Sequence, residues 1–171
     1  KPQKQTHLLH IITMVAGDEE VSWWDLPYAD EVGQEGGVRF LRLHAAPVCV
    51  PPGGVHATVV VIHGGYWKNK FGLDDPYGNA GTASLAPFFR ERGFAAVELE
   101  YRRRDHVGGG WPGTNQDILM ALQRLSDFCD EDTSTPTDRS DALACAINAL
   151  RSDRLMLIGH SSGGCLALWA G

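Results

Sequence analysis

Two short stretches carry residue types at spacings that could do chemistry. The first is Gly159-His160-Ser161-Ser162-Gly163, a G-x-S-x-G followed by Gly164. It stands after an apolar run, Leu155 to Ile158, and opens a helical segment, the setting in which a serine is pushed out on a sharp strand-to-helix turn. Flanking glycines spare such a turn its clashes. The serine Oγ then meets a substrate at a helix N-terminus, where N–H groups and the dipole favour developing negative charge. A glycine-rich turn that only packs a helix against a strand would look alike; the flanking elements favour the reactive serine. The second stretch is His63-Gly64-Gly65-Tyr66-Trp67, directly after a β-branched run ending at Ile62. Glycines there let backbone N–H groups point into a site, as an oxyanion hole demands. A plain turn with aromatic packing is the bland alternative for this stretch taken alone.

The elements that must position these residues are legible in outline. Val38 to His44 alternates like a strand with one covered face, and Pro47 to Gly54 breaks it as a loop. Thr58 to Ile62 reads as a strand buried on both faces of a parallel sheet. Ser84 to Arg92 predicts a helix with Leu85, Phe88 and Phe89 on one face and Gly93 just past its end. Phe94 to Leu99 is the next apolar strand. Thr114 with Asp117 resembles a capping box, and Ile118, Ala121, Leu122, Leu125 and Phe128 follow at helical spacing. Asp130 to Ser140 is a polar surface insert. A short helix, Ala142 to Leu150, then leads into the strand Leu155 to Ile158. Alternating strands and helices predict an α/β parallel sheet with its site at the carboxyl ends of the strands. Residues 1–171 read as one domain, and 1–37 as a poorly defined segment.

These two motifs, in this order and strand context, resemble the oxyanion loop and nucleophile of the α/β-hydrolases, in an esterase/lipase-like group. The H-G-G-x-W form is similar to kynurenine formamidases (arylformamidases) and related carboxylesterases. Gly159 to Gly171 resembles their elbow and following helix, with Cys165 where a His often stands. Trp111-Pro112-Gly113 with Asp117 resembles the segment entering the helix before the nucleophile strand. The likeness spans residues 38–171. It implies an α/β-hydrolase-type, mostly parallel sheet with flanking helices. Ser161 would be the nucleophile, with the N–H groups of Gly64, Gly65, Tyr66 and Ser162 as the oxyanion hole. Trp67 and Trp111, with Tyr66, would shape a pocket for a small ester or amide. His63 would brace the loop rather than act as a base, and His160 would be structural.

Composition sets the outer bounds. The chain has 171 residues, 43% hydrophobic and 21% charged, as in an ordinary globular domain. Its net charge of −6 lacks the basic footprint of a nucleic-acid binder. No apolar stretch is long enough to span a membrane. Leu8 to Ala16 resembles a signal peptide only faintly, because His10 and Thr13 interrupt it, so a cytoplasmic location is the expectation. Cys49, Cys129, Cys145 and Cys165 form no C-x-x-C pair and read as buried free thiols. No metal spacing and no cofactor motif is expected. Gly108 to Gly113 formally fits G-x-G-x-x-G, but it stands away from the preceding strand and Pro112 removes one N–H, so it reads as a flexible loop over the site. Arg102, Arg103 and Arg104 read as a solvated cluster rather than as contacts to an acidic substrate or acidic helix residues.

A serine hydrolase of this type takes its triad in the order Ser, Asp or Glu, His. Ten residues follow Ser161, and none is Asp, Glu or His. The expectation is therefore the N-terminal portion of a longer hydrolase, truncated after the elbow and inactive by itself. A non-catalytic, hydrolase-derived interaction module is the alternative, and a nucleotide-binding α/β protein a third.

Overall fold

The computed structural model describes residues 23–29, 39–47, 54–75, 79, 81–130 and 141–171. The Leu8 to Ala16 run, Cys49 and the insert after Asp130 lie outside the described residues. Five strands form one sheet: β1 Trp23–Pro27, β2 Phe40–His44, β3 Thr58–Ile62, β4 Ala95–Glu100 and β5 Leu155–Gly159. Their order is β1-β2-β4-β3-β5. Four helices accompany them: α1 Leu85–Arg90, α2 Gly113–Asp130, α3 Asp141–Asn148 and α4 Ser162–Ala170. β3 pairs in parallel with both β4 and β5, whereas β2 runs antiparallel to β1 and β4. Four strands thus point one way and β2 alone against them, a reversal that alternation of apolar residues cannot reveal. β1 was not foreseen either. It lies within the segment 1–37 and forms an edge of the sheet.

β3 is buried along its whole length, as its β-branched run requires of a central parallel strand. One face of the sheet is apolar: Leu26, Leu41, Leu43, Val60, Ile62, Val97 and Leu99 meet Ile118, Ala121, Leu125 and Phe128 of α2 and Leu143 and Ile147 of α3. Burying each such side chain is worth about 1.5–3 kcal/mol, and this is the main core. The other face carries charge on β1, β2 and β4. Arg42 is bound there by Asp25 and Asp74, each at 2.8 Å, and His44 by Glu98 at 2.8 Å. α1 is shorter than its sequence pattern; Ala86 is its buried residue, while Phe88 is 46% exposed, contrary to expectation. Phe88 instead lies under the Arg92 guanidinium, 3.7 Å from the ring centroid.

The pair Thr114 and Asp117 is not a capping box. Thr114 Oγ1 donates to the Arg102 carbonyl, and the fully buried Asp117 accepts from Arg102 N at 3.0 Å and Nη2 at 2.7 Å. Both residues tie α2 to the chain leaving β4.

Candidate active site

β3 and β5 are neighbours, so their carboxyl ends deliver the two motifs to one place. After Gly159 the chain turns sharply into α4, and Ser161 sits at the turn with φ 54° and ψ −120°. That conformation is unfavourable for any residue bearing a Cβ, and close packing imposes it. A Cβ on Gly159 would lie 2.2 Å from the Gly163 carbonyl oxygen, and one on Gly163 only 2.1 Å from that of Ile62. The motif's two glycines therefore let α4 rest on the ends of β5 and β3. Ser161 itself is exposed. Its side chain makes no capping hydrogen bond, although it occupies the N-cap position. The His160 ring leans on Gly81, where a Cβ would meet Nδ1 at 2.4 Å.

The loop after β3 touches this elbow. A Cβ on Gly64 would lie 2.7 Å from the His160 carbonyl oxygen and 3.2 Å from Ser161 Cβ. Gly65 (φ 115°), Tyr66 (φ 54°) and Trp67 (φ 56°) all have left-handed backbone. At Gly65 glycine is doubly required, because a Cβ would sit 2.3 Å from Phe71 Cβ. The turn is closed by Lys68 N–H donating to Gly65 O at 3.0 Å and Arg104 N–H donating to Trp67 O at 2.9 Å. The amides of Gly64, Gly65 and Tyr66 have no protein acceptor among the described residues. Ser162 is the first residue of α4, where a helix leaves its N–H unspent. Its buried hydroxyl lies beside the Tyr101 phenol without a hydrogen bond of good geometry.

Beneath the loop is a sealed polar cluster. His63, wholly buried, bonds the Gly64 carbonyl through Nδ1 at 2.8 Å and Glu100 Oε1 through Nε2 at 3.0 Å. Leu73 N–H donates to Glu100 Oε2 at 2.7 Å, and Arg103 Nη1 donates to Oε1. Burial pushes the Glu100 carboxyl up, but the His63 hydrogen bond, the charges of His63 and Arg103 and the Leu73 amide together hold it below its ordinary range. The expected solvated arginine cluster is corrected here: Arg103 is buried on Glu100, Arg102 is paired with Asp117, and Arg104 is exposed. Glu100 was not singled out in the sequence. The signal was the two carboxylates, Glu98 and Glu100, in the otherwise apolar strand AAVELE, every residue of which is buried.

A cavity of about 480 Å³ opens beside the loop, walled by Tyr66, Trp67, Trp111, Cys165 and Trp169, with Arg104 at its margin. Trp111 and Trp169 meet edge to face at 6.3 Å. Ser161 is not among the residues that line the cavity. The glycine loop that carries Trp111 is tightly folded rather than loose, since a Cβ on Gly113 would fall 1.7 Å from Gly108 O. Cys145 and Cys165 are exposed and Cys129 half-buried, so these thiols are free but not buried as expected. α3 and α4 each turn one side to solvent, and the cysteines fall on it. No group of three or more His, Cys, Asp or Glu among the described residues is arranged to hold a metal ion. No helix among them is long and apolar enough to cross a membrane.

No protein-family model matches the sequence, and no curated protein matches it at a significant level. Solved structures do match. Esterase 2 of Thermogutta terrifontis with propionate bound superposes with a TM-score of 0.57 at 17% identity, covering 85% of this chain and 43% of its own. The bifunctional GH43-CE protein of Bacteroides eggerthii gives 0.58 at 21% identity, over 87% of this chain and 17% of its own. The acetyl ester-xyloside bifunctional hydrolase of Caldicellulosiruptor lactoaceticus gives 0.54 at 14%, over 84% and 44%. The chain spans less than half the length of each. It has their fold, an α/β-hydrolase-type, mostly parallel sheet with flanking helices.

Proposed function

We propose that this chain is the nucleophile-bearing part of a serine hydrolase of small carboxylic esters or amides. Ser161 attacks the carbonyl carbon, and the amides of Ser162, Gly65 and Tyr66, with Gly64 beside them, receive the oxygen as it becomes negative. One observation carries the reading: Gly64 packs so close to Ser161 that a Cβ there would reach it at 3.2 Å. Two motifs far apart in sequence thus share one point, with unspent N–H groups beside a serine in a strained turn. The fold shared with an esterase and an acetyl ester-xyloside hydrolase supports the same reaction class.

The chain's own residues supply the nucleophile, the oxyanion donors and the pocket. Without an imidazole in place, Ser161 remains a neutral alcohol and no acid protonates the leaving group. The chain spans less than half of esterase 2, and an enzyme extending over the remainder would supply that imidazole and its carboxylate partner. The aromatic cavity, with Trp67 and Trp111 in its walls, suits a flat apolar group such as an aryl formamide or a short-chain aryl ester. In the longer enzyme a fluorophosphonate probe labels Ser161, located by peptide mapping; labelling at Ser162, or none in an active enzyme, refutes the assignment. Comparison of kcat/KM for N-formylkynurenine and p-nitrophenyl acetate ranks the two substrate types, and preference for long-chain lipids refutes both. The 171-residue chain alone shows no turnover above the residual catalysis of donors and binding. Esterase activity of this chain that Ser161→Ala abolishes would overturn that account.

A further inference from the structure

His63 faces an oxygen at each ring nitrogen, the Gly64 carbonyl at Nδ1 and Glu100 Oε1 at Nε2. A carbonyl oxygen can only accept, so Nδ1 carries the proton of the first bond. A second proton lies between Nε2 and Oε1. The carboxylate cannot drift from this contact, because Leu73 N–H holds Oε2, while Tyr101 N–H at 2.9 Å and Arg103 hold Oε1. Tyr101 also stacks on the imidazole at 4.6 Å and donates its hydroxyl to the His63 carbonyl at 2.8 Å. The ring has one orientation available.

The Gly64 carbonyl and the Gly65 N–H belong to one trans peptide, in which they point in opposite directions. This peptide lies between two glycines, so no side chain of its own restrains its rotation. Holding the carbonyl against His63 turns the Gly65 N–H to the opposite side, and a charged donor on the carbonyl polarises that N–H further.

We propose that Glu100 is a positioning residue: through His63 it pins the Gly64 carbonyl and thereby aims the Gly65 N–H. Its catalytic consequence rests on the oxyanion reading of this loop, whereas the hold on the peptide stands apart from it. Glu100→Gln is the informative variant: its amide oxygen takes the place of Oε1, which Tyr101 N–H and Arg103 face, and beside a neutral carbonyl the ring keeps one proton, at Nε2, so that Nδ1 no longer donates to the Gly64 carbonyl.

The test uses the ¹⁵N-labelled 171-residue chain. In the unsubstituted protein both His63 ring nitrogens give protonated resonances; in Glu100→Gln the Nδ1 resonance becomes that of an unprotonated nitrogen, and the Gly65 amide proton moves upfield. A Gly65 resonance that stays in place while Nδ1 changes overturns the proposal. If Glu100→Gln does not fold, His63→Leu serves, because it fills much of the ring's place and offers the Gly64 carbonyl no donor. It gives the same upfield movement of Gly65, and no movement overturns the proposal. In the longer enzyme, Glu100→Gln lowers kcat about tenfold with KM within about twofold, less than the loss of a whole oxyanion donor; an unchanged kcat overturns it. A longer enzyme without turnover removes the hydrolase reading instead, and leaves the hold on the peptide decided by the Gly65 resonance.

Discussion

Replacing Ser161 by glycine removes the proposed nucleophile and, on the structural argument, stabilises the protein. The perturbation is clean. Ser161 is exposed, so no core packing is lost, and its hydroxyl caps no N–H, so no helix cap is lost. What remains is backbone. At φ 54° and ψ −120° the residue lies outside even the left-handed helical well, which costs a residue with a Cβ about 1–3 kcal/mol. Glycine escapes that cost but adds freedom to the unfolded chain, worth about 0.4–1 kcal/mol in the opposite direction. Ser161→Ala keeps the Cβ and removes only the hydroxyl, so it is the proper reference. The net expectation is that Ser161→Gly exceeds Ser161→Ala by about 1 kcal/mol, or roughly 2–4 °C in Tm for a chain of this size. Urea unfolding followed by circular dichroism, with both variants at one protein concentration, measures the difference. Equal stabilities, or a less stable glycine variant, would show that the turn stores no strain.

Two more expectations concern charge and surface. Because the Glu100 carboxyl is held below its ordinary value of 4.5, its stabilisation is complete above that pH and is lost as pH falls through the folded value. Acid unfolding of Glu100→Gln is flatter across that window, and an unchanged slope refutes the assignment. Leu168 is 87% exposed, beside Trp169 at 44%, which predicts concentration-dependent association. Light scattering checks this, with Leu168→Glu expected to shift the protein towards the monomer; association that Leu168→Glu leaves unaltered places the contact elsewhere.

The parts of the fold legible in the sequence are those where a local pattern has one physical solution. Thr58 to Ile62 could only be a doubly buried strand. Ile118, Ala121, Leu125 and Phe128 could only be one buried face of a helix. G-x-S-x-G between strand and helix could only be a tight turn there, since Gly159 and Gly163 leave no room for a Cβ. What escaped depends on distant partners. The direction of β2 is fixed by pairing with β1 and β4, not by its own five residues. The fate of Arg102 and Arg103 depends on carboxylates, Asp117 and Glu100, that their own run does not announce. Phe88 follows the helical pattern yet faces solvent, because α1 covers little of the sheet and Arg92 stacks on the ring.

The placement of β5 has a consequence for how long the site survives. The strand that carries the serine is an edge of the described sheet, and its first residues, Leu155 and Met156, are about 40% exposed. Its one strand partner, β3, lies roughly a hundred residues earlier in the chain. Edge strands open more readily than the core, in excursions that leave the remaining structure folded. Here such an excursion takes Ser161 away from Gly64 while α2 and α3 still cover β2, β3 and β4. In the 171-residue chain the approach of Ser161 to Gly64 therefore lasts as long as β5 and α4 stay docked. A change that tightens this edge would prolong that approach in the 171-residue chain without raising the melting point of the whole, and a change that loosens it would part Ser161 from Gly64 in a chain still folded by every global measure.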